Sequence, residues 1–164
     1  MISAAYGVLT RSLKGLFVTV FLTCTAQAET TTILALGDSL TAGYGLPQGD
    51  GFVPQLEAAM HAEGLDVQVV NAGVSGDTSA GGAARIGWIL TDKVDFALVA
   101  LGGNDMLRGI PPKETRRNLS AILTELDSKG IPALLIGVLA SANFGESYRN
   151  DFEKIFPDLA QKFN

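Results

Sequence analysis

The sequence predicts an α/β fold of three layers, in which helices cover both faces of a parallel sheet. Two observations lead to this prediction. Four short apolar runs alternate along the chain with four runs of helical periodicity, which is typical of a parallel sheet that is buried on both faces. Polar segments rich in glycine follow the apolar runs, as expected where functional loops follow the carboxyl ends of strands.

Each strand is predicted from a run of apolar and β-branched residues with a polar or glycine boundary. The runs lie at 32–36 (TILAL), 67–70 (VQVV), 94–101 (VDFALVAL) and 133–139 (ALLIGVL). Runs of this length match the usual length of a buried strand. The third run gives the clearest prediction.

Helices are predicted where apolar residues recur at a spacing of three to four. These segments lie at 52–62, 78–90, 113–129 and 147–163. Pro112 and Gly130 bound the third of them, as expected for the first turn and the end of a helix. We expect Pro157 to kink the last one, because proline lacks the N–H that a helix interior needs.

The first 28 residues have the pattern of an export signal. Arg11 and Lys14 precede an apolar core at 16–25, and a small-x-small site ends at Ala28. The apolar core is about half the length that a membrane-spanning helix needs, which is roughly 20 residues. We therefore expect cleavage after Ala28, a periplasmic or secreted product, and no stable membrane anchor after cleavage.

Cleavage at this site leaves residues 29–164, which we interpret as one domain. Cys24 is the only cysteine of the chain and leaves with the signal, so the domain has no cysteine nucleophile, thiolate metal site or disulfide. Its 17 acidic residues outnumber the 10 basic ones that remain once Arg11 and Lys14 are removed. Such a surface is a poor match for nucleic acid or anionic lipid.

The segment GDSL at 37–40 follows the first predicted strand and is the strongest single signal of chemistry. A nucleophilic serine needs a turn that presents its hydroxyl and nearby N–H groups for the developing oxyanion. Ser39 meets the first condition, since it comes three residues after the predicted strand. Taken alone, the motif is short, and Ser39 could equally be a plain helix N-cap.

Two further motifs follow the second and third strands, NAGVSGDTS at 71–79 and LGGND at 101–105. With all three in order, the chain from residue 32 onward resembles the SGNH (GDSL) hydrolase family, within it secreted bacterial arylesterases, lysophospholipases and acyl thioesterases. The resemblance implies a flavodoxin-like sheet of strand order 2-1-3-4-5. It implies Ser39 as the nucleophile, with the N–H groups of Ser39 and Gly76 and the side-chain amide of Asn104 as the oxyanion hole.

The same resemblance implies a small-molecule ester, thioester or lysophospholipid as the substrate, and neither a cofactor nor a metal. The loops at 106–111 and 140–148 would line the acyl pocket through Leu107, Ile110 and Phe144, although packing of the loops alone explains these apolar residues equally well.

Three aspartates, Asp38, Asp77 and Asp105, each follow a different strand. A metal site or a carboxylate dyad is one interpretation, but no histidine or cysteine joins them. We favour hydrogen bonds from loop backbone to these carboxylates. We also count Asp38 and Asp105 among the residues that border bound substrate.

The general base of this family is a histidine in an Asp-x-x-His segment that follows a fifth strand. Residues 1–164 contain neither, and their single histidine, His61, ends the first long helix, where an imidazole suits the helix dipole. We therefore expect a domain that lacks its last strand and is incomplete at its C-terminus, with the strand at 133–139 as an open edge prone to association. We also expect impaired hydrolysis, because loss of a triad histidine lowers kcat on the order of a millionfold.

Two other functions stay open at this point. A chain that keeps the pocket but lacks the base would be an inactive remnant that binds acyl ligands. Glycine-rich loops could also bind a nucleotide, but no phosphate-binding Gly-x-x-x-x-Gly-Lys-Ser/Thr segment occurs, and phosphate disfavours acidic loops.

Overall fold

A computed structural model describes residues 29–90 and 93–163. A four-stranded parallel sheet of order β2-β1-β3-β4 forms its centre. Its strands are β1 (Thr31–Gly37), β2 (Val67–Gly73), β3 (Phe96–Ala100) and β4 (Ala133–Leu135). The predicted parallel α/β sheet is thus confirmed, and its order matches the first four strands of the expected arrangement. The predicted export signal, which includes Cys24, lies outside the described residues.

Seven helices surround this sheet in the part of the chain that the structure describes. They are α1 (Ser39–Ala42), α2 (Phe52–Ala62), α3 (Ser79–Ile89), α4 (Gly103–Leu107), α5 (Pro112–Ser128), α6 (Glu146–Glu153) and α7 (Ile155–Lys162), with a 3-10 turn at Ala142–Phe144. The four long helical segments occur where the sequence predicts them. The short helices α1 and α4 occupy segments that were predicted as loops.

β2 is longer than predicted, and this positions the loop that follows it. Pairing with β1 continues past 70, so that Gly37 of β1 lies opposite Gly73 of β2. The first residues of the predicted functional loop are therefore strand. As a result, β1 and β2 end side by side at the carboxyl edge of the sheet.

The predicted strand at 133–139 was wrong beyond Leu135. The N–H of Ile136 still donates to the carbonyl of Val99 (2.9 Å), one residue past the strand. Among the described residues β4 pairs with β3 alone, so nothing on its outer side extends the ladder. Gly137 follows directly, and glycine weakens a strand because it offers no side chain to pack.

The last predicted helix is two helices, α6 and α7, which meet at Lys154. The predicted kink at Pro157 thus falls three residues earlier. The reason is the geometry of proline, whose ring collides with the carbonyl four residues before it. For Pro157 that carbonyl belongs to Glu153, the last residue of α6.

Buried apolar side chains form two clusters, one on each face of the sheet. Because successive residues of a strand face opposite sides, Leu34 and Leu36 join the cluster with α3, α5, α6 and α7, whereas Ile33 and Ala35 join the cluster with α2. Within the described ranges, no helix has the length and apolar character needed to cross a membrane.

Candidate active site

Ser39 is the first residue of α1 and lies directly beyond the carboxyl end of β1. The preceding residue, Asp38, caps this helix, because its Oδ1 accepts the N–H of Leu40 (3.0 Å). Asp38 is only 7% exposed, whereas Ser39 is half-buried. The buried Asp38 therefore holds the turn in place, while Ser39 remains partly accessible at the surface.

Two glycines let α1 pack this closely onto the sheet. A Cβ atom at Gly37 would collide with the side chain of Thr41, and one at Gly73 would collide with the backbone of Ala42. Any side chain at either position would push α1 away from the strand ends. This close approach is the physical reason for glycine at both positions.

Gly76 forms a tight turn between β2 and α3, with a φ of 79°, a conformation that glycine adopts at little cost. Its carbonyl accepts a hydrogen bond from Nη2 of Arg108 (2.7 Å). The next residue, Asp77, accepts the N–H of Thr78 at its Oδ1 (3.1 Å). This turn therefore has a defined backbone conformation next to the nucleophile turn.

Asn104 of α4 links the two turns. Its Nδ2 donates to Oδ2 of Asp38 (3.2 Å) and to the backbone carbonyl of Asp77 (2.9 Å). The structure thus brings together the three motifs that the sequence analysis singled out, one after each of β1, β2 and β3. It does so through the side chain predicted to donate to the oxyanion.

Arg85 of α3 makes a second link, which the sequence analysis missed. Its Nε pairs with Oδ2 of Asp77 (2.9 Å), and its Nη2 donates to the carbonyl of Gly37 (3.2 Å). Asp77 lies before Thr78, the N-cap of α3, so no helical spacing in the sequence relates it to Arg85. Arg108, which contacts Gly76, was missed as well.

Asp105 supports the site from the interior. It is fully buried, with its Oδ2 accepting the N–H of Ser79 (2.8 Å) and its Oδ1 accepting the hydroxyl groups of Ser79 and Thr115. Both Asp38 and Asp105 are therefore buried with their oxygens engaged. This placement fits the hydrogen-bonding interpretation of these carboxylates and not the expected contact with substrate.

The residues predicted to line an acyl pocket differ in their contacts and exposure. Tyr148 joins two of them, since its hydroxyl donates to the carbonyl of Ile110 (2.9 Å) and its ring stacks on that of Phe144 (5.2 Å between centroids). Leu107 is 70% exposed. The loops at 106–111 and 140–148 thus meet, and their role towards an acyl chain stays a prediction.

Burial raises the pKa of Tyr148 above its ordinary value of 10.0, and the negative charge of Asp105 adds to this effect. The phenol is therefore protonated at neutral pH and able to donate to Ile110. Across residues 29–90 and 93–163, no three His, Cys, Asp or Glu side chains come together in a group that could hold a metal ion.

His61 lies at the other end of the molecule from Ser39. Its Nε2 is 2.8 Å from the carbonyl of Val67, the first residue of β2. Val67 lies opposite Thr31, the first residue of β1, and Ser39 comes after the last. At about 3.3 Å per strand residue, this places Val67 about 20 Å from the end of β1. The geometry thus agrees with a structural role for His61.

Comparisons with known proteins agree with this geometry. A model of the GDSL-like Lipase/Acylhydrolase family matches residues 35–164. The chain is 39% identical to the esterase TesA of Pseudomonas aeruginosa over 137 residues, 83% of this chain and 68% of that protein. It is 38% identical to the thioesterase 1/protease 1/lysophospholipase L1 of Escherichia coli strain K12, over 84% of this chain and 65% of that protein.

A crystal structure of AlinE4, described as an SGNH-hydrolase family esterase, superposes with a TM-score of 0.80 at 48% identity, covering 84% of this chain and 75% of that one. Sequence and fold therefore lead to the same group of enzymes. The chain belongs to the GDSL-like lipase and acylhydrolase family, whose SGNH esterases define its enzymatic class.

Proposed function

We propose that the chain carries the acyl-transfer site of an exported carboxylic ester hydrolase, with Ser39 as its nucleophile. The observation that carries this proposal is the double hydrogen bond of Asn104, which joins the turn before Ser39 to the turn of Gly76. A carbonyl carbon attacked by the Ser39 hydroxyl would have its oxygen near donors from both turns.

The oxyanion would be stabilised by the N–H groups of Ser39 and Gly76 and by the amide of Asn104. The N–H of Ser39 lies in the first turn of α1, where helix N–H groups lack a carbonyl partner within the helix. Both N–H groups of the Asn104 amide have partners here, and the bond to Asp38 (3.2 Å) is longer than that to Asp77 (2.9 Å). We expect the oxyanion to take the place of Asp38 as the acceptor of the longer hydrogen bond from Asn104.

The general base is the part of the mechanism that these 164 residues do not supply to Ser39. Their one histidine, His61, is engaged with Val67 at the opposite end of β2. We therefore propose slow turnover for the chain by itself, because serine hydrolases without their histidine keep only the contributions of the oxyanion hole and of binding.

We propose acyl esters and thioesters as substrates, including lysophospholipids. The chain's relatives are named as an esterase and as a thioesterase and lysophospholipase. The apolar loops at 106–111 and 140–148, which meet at Tyr148, would hold the acyl group beside the nucleophile.

Export is a separate part of the proposal. The basic residues, apolar core and Ala-x-Ala site within 1–28 support removal of this segment during secretion. Sequencing of the secreted protein should find Glu29 as the first residue. A product that starts at Met1 and stays in the cytoplasm would contradict this part.

The catalytic proposal is tested by chemical rescue of p-nitrophenyl acetate hydrolysis with added imidazole. The unaltered chain should hydrolyse the ester slowly, and imidazole should accelerate it beyond the rate seen with Ser39→Ala under the same conditions, because free imidazole replaces the missing base. Ser128→Ala, at an exposed position at the end of α5, serves as the matched control and should behave like the unaltered chain.

Equal rates for the unaltered chain and Ser39→Ala at every imidazole concentration would overturn the proposal. If the chain then still binds acyl ligands in an equilibrium assay, the inactive acyl-binding remnant becomes the better account. Hydrolysis that depends on Ser39 but reaches ordinary enzyme rates without imidazole would retain the nucleophile and overturn the proposed slow turnover.

A further inference from the structure

Arg85 lies between the two turns that carry the proposed chemistry. It belongs to α3, and its hydrogen bonds go to Asp77 and Gly37 rather than to Ser39 or Asn104. We propose that Arg85 is a positioning residue, which holds the nucleophile turn and the oxyanion turn in a fixed relation. This inference rests on the proposed function of Ser39.

The guanidinium group binds two segments at once. Its Nε pairs with the Asp77 carboxylate (2.9 Å), while its Nη2 donates to the carbonyl of Gly37 (3.2 Å). The side chains of Arg85 and Asp77 are only 19% and 11% exposed, so solvent and salt screen this pair less than a surface pair. A planar guanidinium can make both bonds together, which a lysine ammonium on its flexible stem does less well.

These contacts continue into a closed ring. The carbonyl of Asp77 accepts from Asn104, and Asn104 donates onward to Asp38. Asp38 accepts from Leu40 and is the chain neighbour of Gly37, where the ring began. Ser39 follows Asp38 of this ring in the chain and precedes Leu40, whose N–H donates to Asp38. A shift of the Asp77 turn would therefore alter both the Asn104 amide and the Ser39 turn.

The Asp77 carboxylate occupies space that is free only because residue 81 is glycine. A Cβ at Gly81 would collide with both the Oδ1 and the Cγ of Asp77. Glycine inside a helix is unfavourable relative to alanine, yet α3 has glycine here. The space that it leaves is filled by the carboxylate that Arg85 holds.

A purely stabilising ion pair would occur with the same contacts, so the test includes two readouts that stability alone does not move, the NMR signal of the Asn104 amide and the rate constant per reactive site. The variants are Arg85→Lys and Arg85→Gln. The matched control is Arg116→Lys, because Arg116 forms an ion pair of similar length with Asp158 (2.8 Å) on the surface. Gly81→Ala is a second route, since it displaces the Asp77 carboxylate while Arg85 stays intact.

The first readout is the NMR signal of the Asn104 side-chain amide, together with hydrogen exchange of the Leu40 N–H. The second is the rate constant for reaction of Ser39 with an alkyl fluorophosphonate, counted per reactive site. Arg85→Gln and Gly81→Ala should shift the Asn104 signal, accelerate Leu40 exchange and slow the reaction by about 10- to 100-fold, as small misplacements in active sites do. Arg85→Lys should fall between these variants and Arg116→Lys.

The inference is overturned if the Asn104 signal and Leu40 exchange in the Arg85 variants match those in Arg116→Lys. It is also overturned if only the fraction of reactive protein falls while the rate constant per site stays the same, since that result marks a role in stability alone. Failure of the proposed function is a different result, in which the unaltered chain shows no reaction at Ser39. The NMR and exchange readouts then decide on Arg85 by themselves.

Discussion

The two faces of the sheet differ in how completely helices cover them. On one face, side chains from α3, α5, α6 and α7 form a buried cluster with Leu34 and Leu36. On the other, α2 is the one helix of residues 29–90 and 93–163 that joins the cluster of Ile33 and Ala35. Beside α2 an apolar groove of 610 Å³ remains open, lined by Phe52, Leu56, Met60, Leu98, Leu134 and Ile136 among others. We call these the closed face and the open face.

The difference does not arise in the central strand. Residues 33–36 of β1 are at most 5% exposed, although they alternate between the two faces. It arises at the rims, where Phe52 is 40% and Leu134 is 53% exposed on the open face. Because the buried network of Asp105 joins α3, α4 and α5, the candidate site is anchored on the closed face. The closed face thus supports the candidate site through buried contacts. The open face, in contrast, has more apolar surface than α2 covers.

The largest expected effect is on the closed face. Leu119 of α5 is fully buried, and Leu119→Ala should lower the free energy of unfolding by about 3–5 kcal/mol, because it leaves a cavity in a packed cluster. Urea unfolding followed by circular dichroism measures this change. A loss below about 1 kcal/mol would mean that the closed face is loosely packed.

The next effect concerns the buried network beneath the site. Asp105→Asn keeps the shape but replaces one acceptor oxygen by an NH₂ group, which cannot accept from both Ser79 and Thr115. We expect a loss of about 1–3 kcal/mol in the free energy of unfolding, the usual cost of an unsatisfied buried group. Asp127→Asn, at an exposed position of α5, is the matched control. Equal stability of the two variants would contradict the anchoring role.

A smaller loss is expected on the open face. Leu56 of α2 is half-buried and borders the groove, so Leu56→Ala should cost about 1 kcal/mol, since water already reaches the space that the side chain leaves. The same urea experiment compares it with Leu119→Ala. Equal losses in the two leucine variants would remove the distinction between the faces.

The smallest effect is a pH dependence on the closed-face side. Because the folded-state pKa of Tyr148 is raised above 10.0 by burial and then by Asp105, the folded chain holds this proton more tightly than the unfolded chain does. The resulting stability is present in full below pH 10 and is lost as the pH rises through the folded-state pKa. Tyr148→Phe should show a shallower fall of the free energy of unfolding above pH 10. If the free energy of unfolding falls equally steeply with pH in Tyr148→Phe and in the unaltered chain, this role of Tyr148 is contradicted.

The sequence predicts the sheet and the three motifs because both depend on local patterns. Apolar runs identify β1 to β3, and glycines at 37, 73 and 76 identify the turns where backbone comes close. It did not predict Arg85 as a link, since the contact with Gly37 spans 48 positions in the chain. It also overextended β4, because the length of an edge strand depends on its partners.

Ser39 is, in this account, the nucleophile of a site assembled from the segments that follow β1, β2 and β3. The most direct test of this role is reaction of the unaltered chain with an alkyl fluorophosphonate, followed by mass spectrometry of the peptides. We predict that the phosphonyl group is found on Ser39, and that Asn104→Ala slows its attachment by about 100-fold or more, as the loss of one oxyanion donor does. Attachment to another serine, or an unchanged rate in Asn104→Ala, would contradict the account.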